Sequence, residues 1–97
     1  MTLAMVTLQV RDHQQQAFEA DWQQTRRLLA GLPGCQGLEL RRSRLHARRY
    51  LLLIDWTARS SPDLQALQGL RRHFEHEPDI EHYDEVGTGG SARLRPD

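Results

Sequence analysis

The stretch Leu32-Pro33-Gly34-Cys35-Gln36-Gly37-Leu38-Glu39-Leu40, followed across an Arg-rich hairpin by Arg49-Tyr50-Leu51-Leu52-Leu53-Ile54-Asp55-Trp56, decides how this chain folds. Its first residues close a helix, because Pro has no N–H to donate and Gly accepts a left-handed turn. The rest reads as two strands, Cys35 to about Arg42 and about Arg48 to Trp56, joined through Ser43-Arg44-Leu45-His46-Ala47. In the second of them Tyr50, Leu52, Ile54 and Trp56 share one face, and Leu51, Leu53 and Asp55 share the other. Apolar residues on both faces predict a strand interior to a sheet.

Upstream, Leu3 to Val10 alternates with apolar residues on both faces, which predicts a central strand. Asp12 marks the N-cap region of a helix over Gln14 to Leu32 whose stripe is Phe18, Trp22, Leu29 and Leu32, with Thr25 and Leu28 beside it. Downstream, Ser61-Pro62-Asp63 supplies a cap and a first-turn Pro for a second helix bearing Leu64, Leu67, Leu70 and Phe74. Pro78 ends that region, and Ile80 to Val86 is the last strand. The order βαββαβ is the ferredoxin-like α+β plan: a four-stranded antiparallel sheet, order 4-1-3-2, with both helices on one side. Residues 1–86 form the domain and the Gly-rich 87–97 a flexible C-terminal tail. Two helices cover one sheet face only, and a second subunit is the simplest cover for the other.

Ninety-seven residues make one domain, and a chain of this size buries only about 60–70% of its unfolded surface. All thirteen basic residues are Arg, as a GC-rich coding sequence would give, and they balance thirteen acidic ones. Zero net charge removes the attraction that nucleic-acid binders show. The longest apolar run, Leu51 to Ile54, is far short of the ~20 residues of a membrane span. With no basic segment leading into an apolar core at the N-terminus, the expected location is cytoplasmic. One cysteine, Cys35, cannot form an internal disulfide and reads as an inert, buried thiol.

The groups able to do chemistry lie late in the chain. His73, His76 and His82 with Tyr83 fall within about ten residues, and His is the side chain best suited to move a proton near neutrality. The flanking Arg71, Arg72, Glu75 and Glu77 equally describe a solvated helix face. His73, Glu77 and His82 match no established metal-ligand spacing, so no metal is expected. Trp56 offers either a stacking wall or a core residue; Trp22, spaced with Phe18, reads first as core. Arg41, Arg42, Arg44, Arg48 and Arg49 crowd the hairpin while Glu75, Glu77, Asp79, Glu81, Asp84 and Glu85 crowd the last strand and its approach. In this topology those are opposite edges, about 14 Å apart, so the segregation reads as a device that pairs two subunits.

The helix ending in Leu32-Pro33-Gly34-Cys35, the strand Arg49 to Leu53 ending in Asp55-Trp56 and the closing His82-Tyr83-Asp84-Glu85-Val86 resemble the antibiotic biosynthesis monooxygenase superfamily over roughly residues 4 to 86. The resemblance implies a dimeric α/β barrel with a cleft between each sheet and its helices. It also implies cofactor-independent monooxygenation of a small aromatic or polyketide-like metabolite, with cyclisation or isomerisation on the same fold, or a non-catalytic ligand-binding dimer, as alternatives. Trp56 matches a Trp that lines the cleft in phenol-oxidising members; the Asn and Tyr that accompany it there are replaced by Leu52 and Pro62. Haem-degrading members use a helix His and a first-strand Asn, and this chain has no Asn. The residues expected to bind ligand are Trp56, Tyr50, Leu52, Phe74 and Trp22, with a base from His73, His76 or His82 and Tyr83 as its hydrogen-bond partner. No cofactor, nucleic acid or membrane is implied.

Overall fold

In the computed structural model, residues 2–57, 64–87 and 89 are described. The chain runs β1 (Thr2–Gln9), α1 (Gln15–Ala30), β2 (Cys35–Arg42), β3 (Arg49–Trp56), a 3-10 helix (Leu64–His73) and β4 (Asp79–Asp84). The sheet order is β2-β3-β1-β4, the expected 4-1-3-2 read from the other edge, and every pairing is antiparallel.

The register assigns each side chain to a face. Ala4 lies between Ile54 and His82, and Val6 between Leu52 and Ile80. Directly opposed residues of a ladder share a face, so Ala4, Val6, Leu8, Tyr50, Leu52, Ile54 and Trp56 form one side. All are buried, and Phe18, Trp22, Leu29, Leu67, Leu70 and Phe74 close over them. Side chains of this size each contribute about 1.5–3 kcal/mol on full burial, so this layer is where the domain's stability is concentrated. The other side carries Leu3, Met5, Leu51 and Leu53, and among the described residues neither helix packs on it, although Leu53 is only 7% exposed between its neighbours. Cys35 and Gly37 face Trp56 and Asp55 across an irregularity at Gln36 that shifts the register of β2. At this edge of the sheet the Cys35 thiol, expected to be buried, is only half-buried against the core.

α1 buries Phe18, Trp22, Thr25 and Leu29, an alternation of four and three that keeps one stripe inward. Leu28, expected beside that stripe, is 54% exposed. The helix starts one residue later than expected and is not capped by Asp12: a turn with His13 at φ 62° intervenes, and Gln14 is the N-cap with no side-chain bond. It also ends earlier, at Ala30. Gly31 stays right-handed at φ −84°, its N–H bonded to Arg27 O, and the left-handed position is Gly34 at φ 93°. Leu32 lies beyond the helix yet still packs against the core.

The largest departure is the second helix. It is 3-10 over Leu64–His73, and its expected cap at Ser61-Pro62-Asp63 lies outside the described residues. A 3-10 helix has three residues per turn, so positions i and i+3 eclipse. Leu67, Leu70 and His73 therefore form one buried row, at 4%, 0% and 2% exposure. The solvated face expected for His73 rests on an α-helical period that this segment does not have. β4 is two residues shorter than expected at its C-terminal end, and every one of its side chains is exposed.

Candidate functional site

The three histidines occupy three different environments. His73 is enclosed between the helices: one ring nitrogen, Nε2, lies 2.7 Å from Asp21 Oδ2, and Nδ1 lies 3.0 Å from Gln14 Oε1. Phe18 meets the imidazole edge-on, with ring centroids 6.3 Å apart. Asp21 is shared with Arg72 at 2.5 Å. The bond from His73, aided by the charge of Arg72, holds the Asp21 carboxyl below its ordinary range against a smaller opposing effect of burial. This arrangement bolts α1 to the 3-10 helix. His76 is exposed, with Nδ1 3.0 Å from the carbonyl of Glu77. His82 is on β4, exposed, on the helix-side face and opposite Ala4.

Tyr83, the expected partner of the base, is on the opposite face from His82, since neighbouring residues of a strand alternate. It faces Leu3, is 42% exposed, and its phenol is pushed above its ordinary pKa chiefly by a hydrogen bond to Glu81. His73, His76, His82 and Tyr83 are thus not assembled into one constellation.

Trp56, Tyr50, Leu52, Phe74 and Trp22 do come together, as members of a single buried cluster. They do not meet at one point. Trp56 is at the end of β3, paired with Thr2 and Cys35, while Tyr50 is six residues away, about 20 Å along an extended strand. At that far end Phe18 stacks on Tyr50 and on Phe74, with centroids 4.7 and 6.0 Å apart. Across β1, His82 lies two strands and one residue pair from Trp56, about 12 Å by strand spacing. The helix-side face therefore holds a buried indole, 4% exposed, near one border and an exposed imidazole at the other.

Two hollows open where α1 meets the β2 edge. One, of about 250 Å³, is lined by Arg26, Ala30, Cys35, Gln36, Gly37 and Leu38. The other, of about 290 Å³, is lined by Glu19, Trp22, Gln23, Leu40, Arg42 and Tyr50. In the second, the Tyr50 hydroxyl donates to Glu19 Oε2 at 2.5 Å and Arg42 Nη1 reaches the same oxygen at 3.5 Å. Burial, reinforced by Glu19, pushes the Tyr50 phenol up to about 12. The sequence does not single out Glu19, and it marks Arg42 only as one of the hairpin arginines. Their one further signal there is that the face-sharing pair Arg42 and Tyr50 sits opposite a helix that carries a carboxylate one residue after Phe18. Among the described residues no group of three or more His, Cys, Asp and Glu side chains is placed to hold a metal ion.

The basic and acidic stretches meet within one chain after all: Arg48 Nη1 lies 3.2 Å from Glu75 Oε2 and also donates to Val10 O. The link forms because Phe74 bridges to Val10, carrying the chain past the hairpin end of the sheet before β4 begins. Arg41 is paired with Glu39, and Arg71 with Glu77.

A four-stranded antiparallel sheet with helices on one face defines a ferredoxin-like α+β domain, here with an indole at the end of its third strand. The chain belongs to the antibiotic biosynthesis monooxygenase family, whose sequence profile matches residues 1–76. Among solved structures, a protein of Bordetella bronchiseptica assigned to the antibiotic biosynthesis monooxygenases is 28% identical, with TM-score 0.76 over 88% of this chain and 96% of its own. A Nitrosomonas europaea protein with the same assignment has 14% identity and TM-score 0.74, over 90% of this chain and all of its own. A variant of SnoaB, a cofactor-independent oxygenase from Streptomyces nogalater, has 18% identity and TM-score 0.71, over 90% and 94%. The last two are likenesses of fold. No curated protein matches the chain. No helix among the described residues is long and apolar enough to cross a membrane.

Proposed function

We propose that this protein is a cofactor-independent oxygenase of a small aromatic or polyketide-like metabolite, working as a homodimer in secondary metabolism. The observation that carries the reading is the placement of His82: exposed, on the same sheet face as Trp56 and about 12 Å from it by strand spacing. A flat substrate of two or three fused rings spans that interval, with its apolar rings over the border of the core that the Trp56 indole, 4% exposed, underlies, and an acidic hydroxyl or ring methylene at the imidazole. His82 takes that proton, and the resulting enolate gives electrons to dioxygen. A ring methylene then becomes a carbonyl, one oxygen atom entering the product and the other leaving as water. His73 serves as the bolt between helices, and the protein's remaining contribution is to orient the rings.

One observation favours a second reading, a ligand-binding dimer without turnover. Leu52 is fully buried and puts an apolar side chain at the centre of the face where phenol-oxidising relatives have an Asn. Oxygen-electrode assays with anthrone-type phenols separate the two. Uptake that follows substrate and collapses in His82→Gln supports oxygenation; tight binding without uptake supports the second reading. Uptake unchanged in His82→Gln refutes the assignment of the base.

The dimer covers the uncovered sheet face, where Leu3, Met5, Leu51 and Leu53 are bordered by the Arg41–Glu39 pair on one side and by Glu81 and Tyr83 on the other. Leu53, itself only 7% exposed, lies at its centre with the half-buried Met5 opposite it, and Met5→Arg places a charge in the contact. The wild type is expected to sediment as a dimer and the variant as a monomer; a variant that remains dimeric at low concentration refutes this surface.

A further inference from the structure

The hollow at the α1–β2 edge is built like a binding site and lies at the opposite end of β3 from Trp56. Three features make it so. Its anchor is a tyrosine that is only 2% exposed, whose hydroxyl is committed to Glu19 Oε2. Both contacts that the structure shows on Glu19, from Tyr50 and from Arg42 Nη1, fall on that same oxygen. Oε1 is left as an acceptor, held in place by the bonds its neighbour makes. Arg42 in turn touches Glu19 with Nη1 alone and at 3.5 Å, the long limit of a hydrogen bond, and also acts on the Tyr50 hydroxyl; with five N–H donors, the planar fork of its guanidinium still keeps donors for another acceptor. The mouth therefore presents one acceptor and one donor side by side, with Trp22 and Leu40 as apolar walls and Gln23 at the rim.

From this layout we infer that the hollow binds a planar heteroaromatic ring through a cyclic amide edge, an N–H beside a C=O, as in pyridones and quinolones. The ring N–H donates to Glu19 Oε1 and the ring carbonyl accepts from Arg42. The ring slides against Trp22 and Leu40. Charge decides against the two simpler ligands. A carboxylate would suit Arg42 but be driven away by Glu19, and an ammonium would suit Glu19 but be driven away by Arg42. A neutral edge with adjacent donor and acceptor satisfies both without stranding either charge. The size agrees: about 290 Å³ is at the lower end of small-molecule sites and holds one or two fused rings. This site lies at the other end of the same sheet face from Trp56 and His82, and it does not depend on the oxygenase reading.

The test uses the full chain and two probes, 2-quinolone and quinoline, which share ring size but differ in the amide edge. Binding is followed by tryptophan fluorescence and by mapping amide and indole N–H shifts in a labelled sample. The expected result is saturable binding of 2-quinolone, with shifts at Glu19, Trp22 and Tyr50, and about tenfold weaker binding of quinoline. Arg42→Ala is expected to weaken 2-quinolone by a similar factor while leaving quinoline unchanged. Because Arg42 is exposed, that variant keeps the core intact, and its unperturbed shifts elsewhere verify the fold. Equal affinity for the two probes overturns the inference, as does binding insensitive to Arg42→Ala. Shifts centred on Trp56 and His82 would place the ligand on the proposed oxygenation face and overturn it as well; no binding up to the solubility of the probe does the same. Loss of oxygen uptake in His82→Gln leaves this inference standing, so the two readings fail separately.

Discussion

Replacing His73 with Leu separates a bolt from a base. The imidazole is buried, and it makes one hydrogen bond at 2.7 Å to the carboxylate of Asp21 and one at 3.0 Å to Gln14. Leu fills a similar volume, so the substitution removes the two bonds without opening a large cavity. A hydrogen bond to a charged group contributes more than one to a neutral amide. The Asp21 and Gln14 side chains are only part-buried and recover water once the imidazole is gone, so neither becomes a stranded polar group. The net loss is expected to be about 2 kcal/mol, a fall in Tm of roughly 8–16 °C for a domain of this length. Urea unfolding followed by circular dichroism measures it, with both proteins at one concentration because the proposed dimer would add to apparent stability. Oxygen uptake per folded molecule is expected to be retained. His73→Leu within about 0.5 kcal/mol of wild type would refute the bolt. Loss of uptake at full folding would show that His73, buried as it is, moves a proton after all.

The same cluster governs acid stability. Asp21 is held below 3.8 in the folded chain, so it binds its proton less readily folded than unfolded. Its contribution is complete above about pH 4 and is lost as pH falls through the folded value; Asp21→Asn is expected to flatten this acid limb of an unfolding profile, and an unchanged limb would exclude the linkage. At the alkaline end, Tyr50 is raised from 10.0 to about 12, so its contribution is present below pH 10 and is lost as pH rises toward 12. Tyr83 is raised as well, through Glu81, so ultraviolet difference titration should show both tyrosines late with Tyr50 the last to ionise, and Glu19→Gln should bring Tyr50 partway back, because burial, the largest cause, persists; a full return to the ordinary range would mean that Glu19 alone sets the shift.

Much of the architecture was legible in the chain because local patterns and tertiary needs agree. The two-residue alternation of Ala4, Val6 and Leu8 and of Tyr50, Leu52, Ile54 and Trp56 selects strands with one wholly apolar face. The four-and-three spacing of Phe18, Trp22, Thr25 and Leu29 selects a helix to cover that face. Right-handed connections leave few arrangements of those parts, and the observed order β2-β3-β1-β4 is the one they favour. The site was less legible. Which histidine is buried depends on whether residues 64–73 wind with three or 3.6 residues per turn, and leucines at 64, 67 and 70 suit either period. Only packing against α1, with Asp21 and Gln14 at the right height, settles it. Likewise the alternation of β4 states that His82 and Tyr83 point apart, but which of them faces Trp56 follows from the register Ala4↔His82. Glu19, Arg42 and Tyr50 are 23, 8 and 31 residues from one another, and their meeting is a property of how α1 lies across β3 and the β2 edge. Sequence determines the faces of each element, through short-range periodicity; the juxtaposition of side chains from different elements is decided only when those faces are packed together.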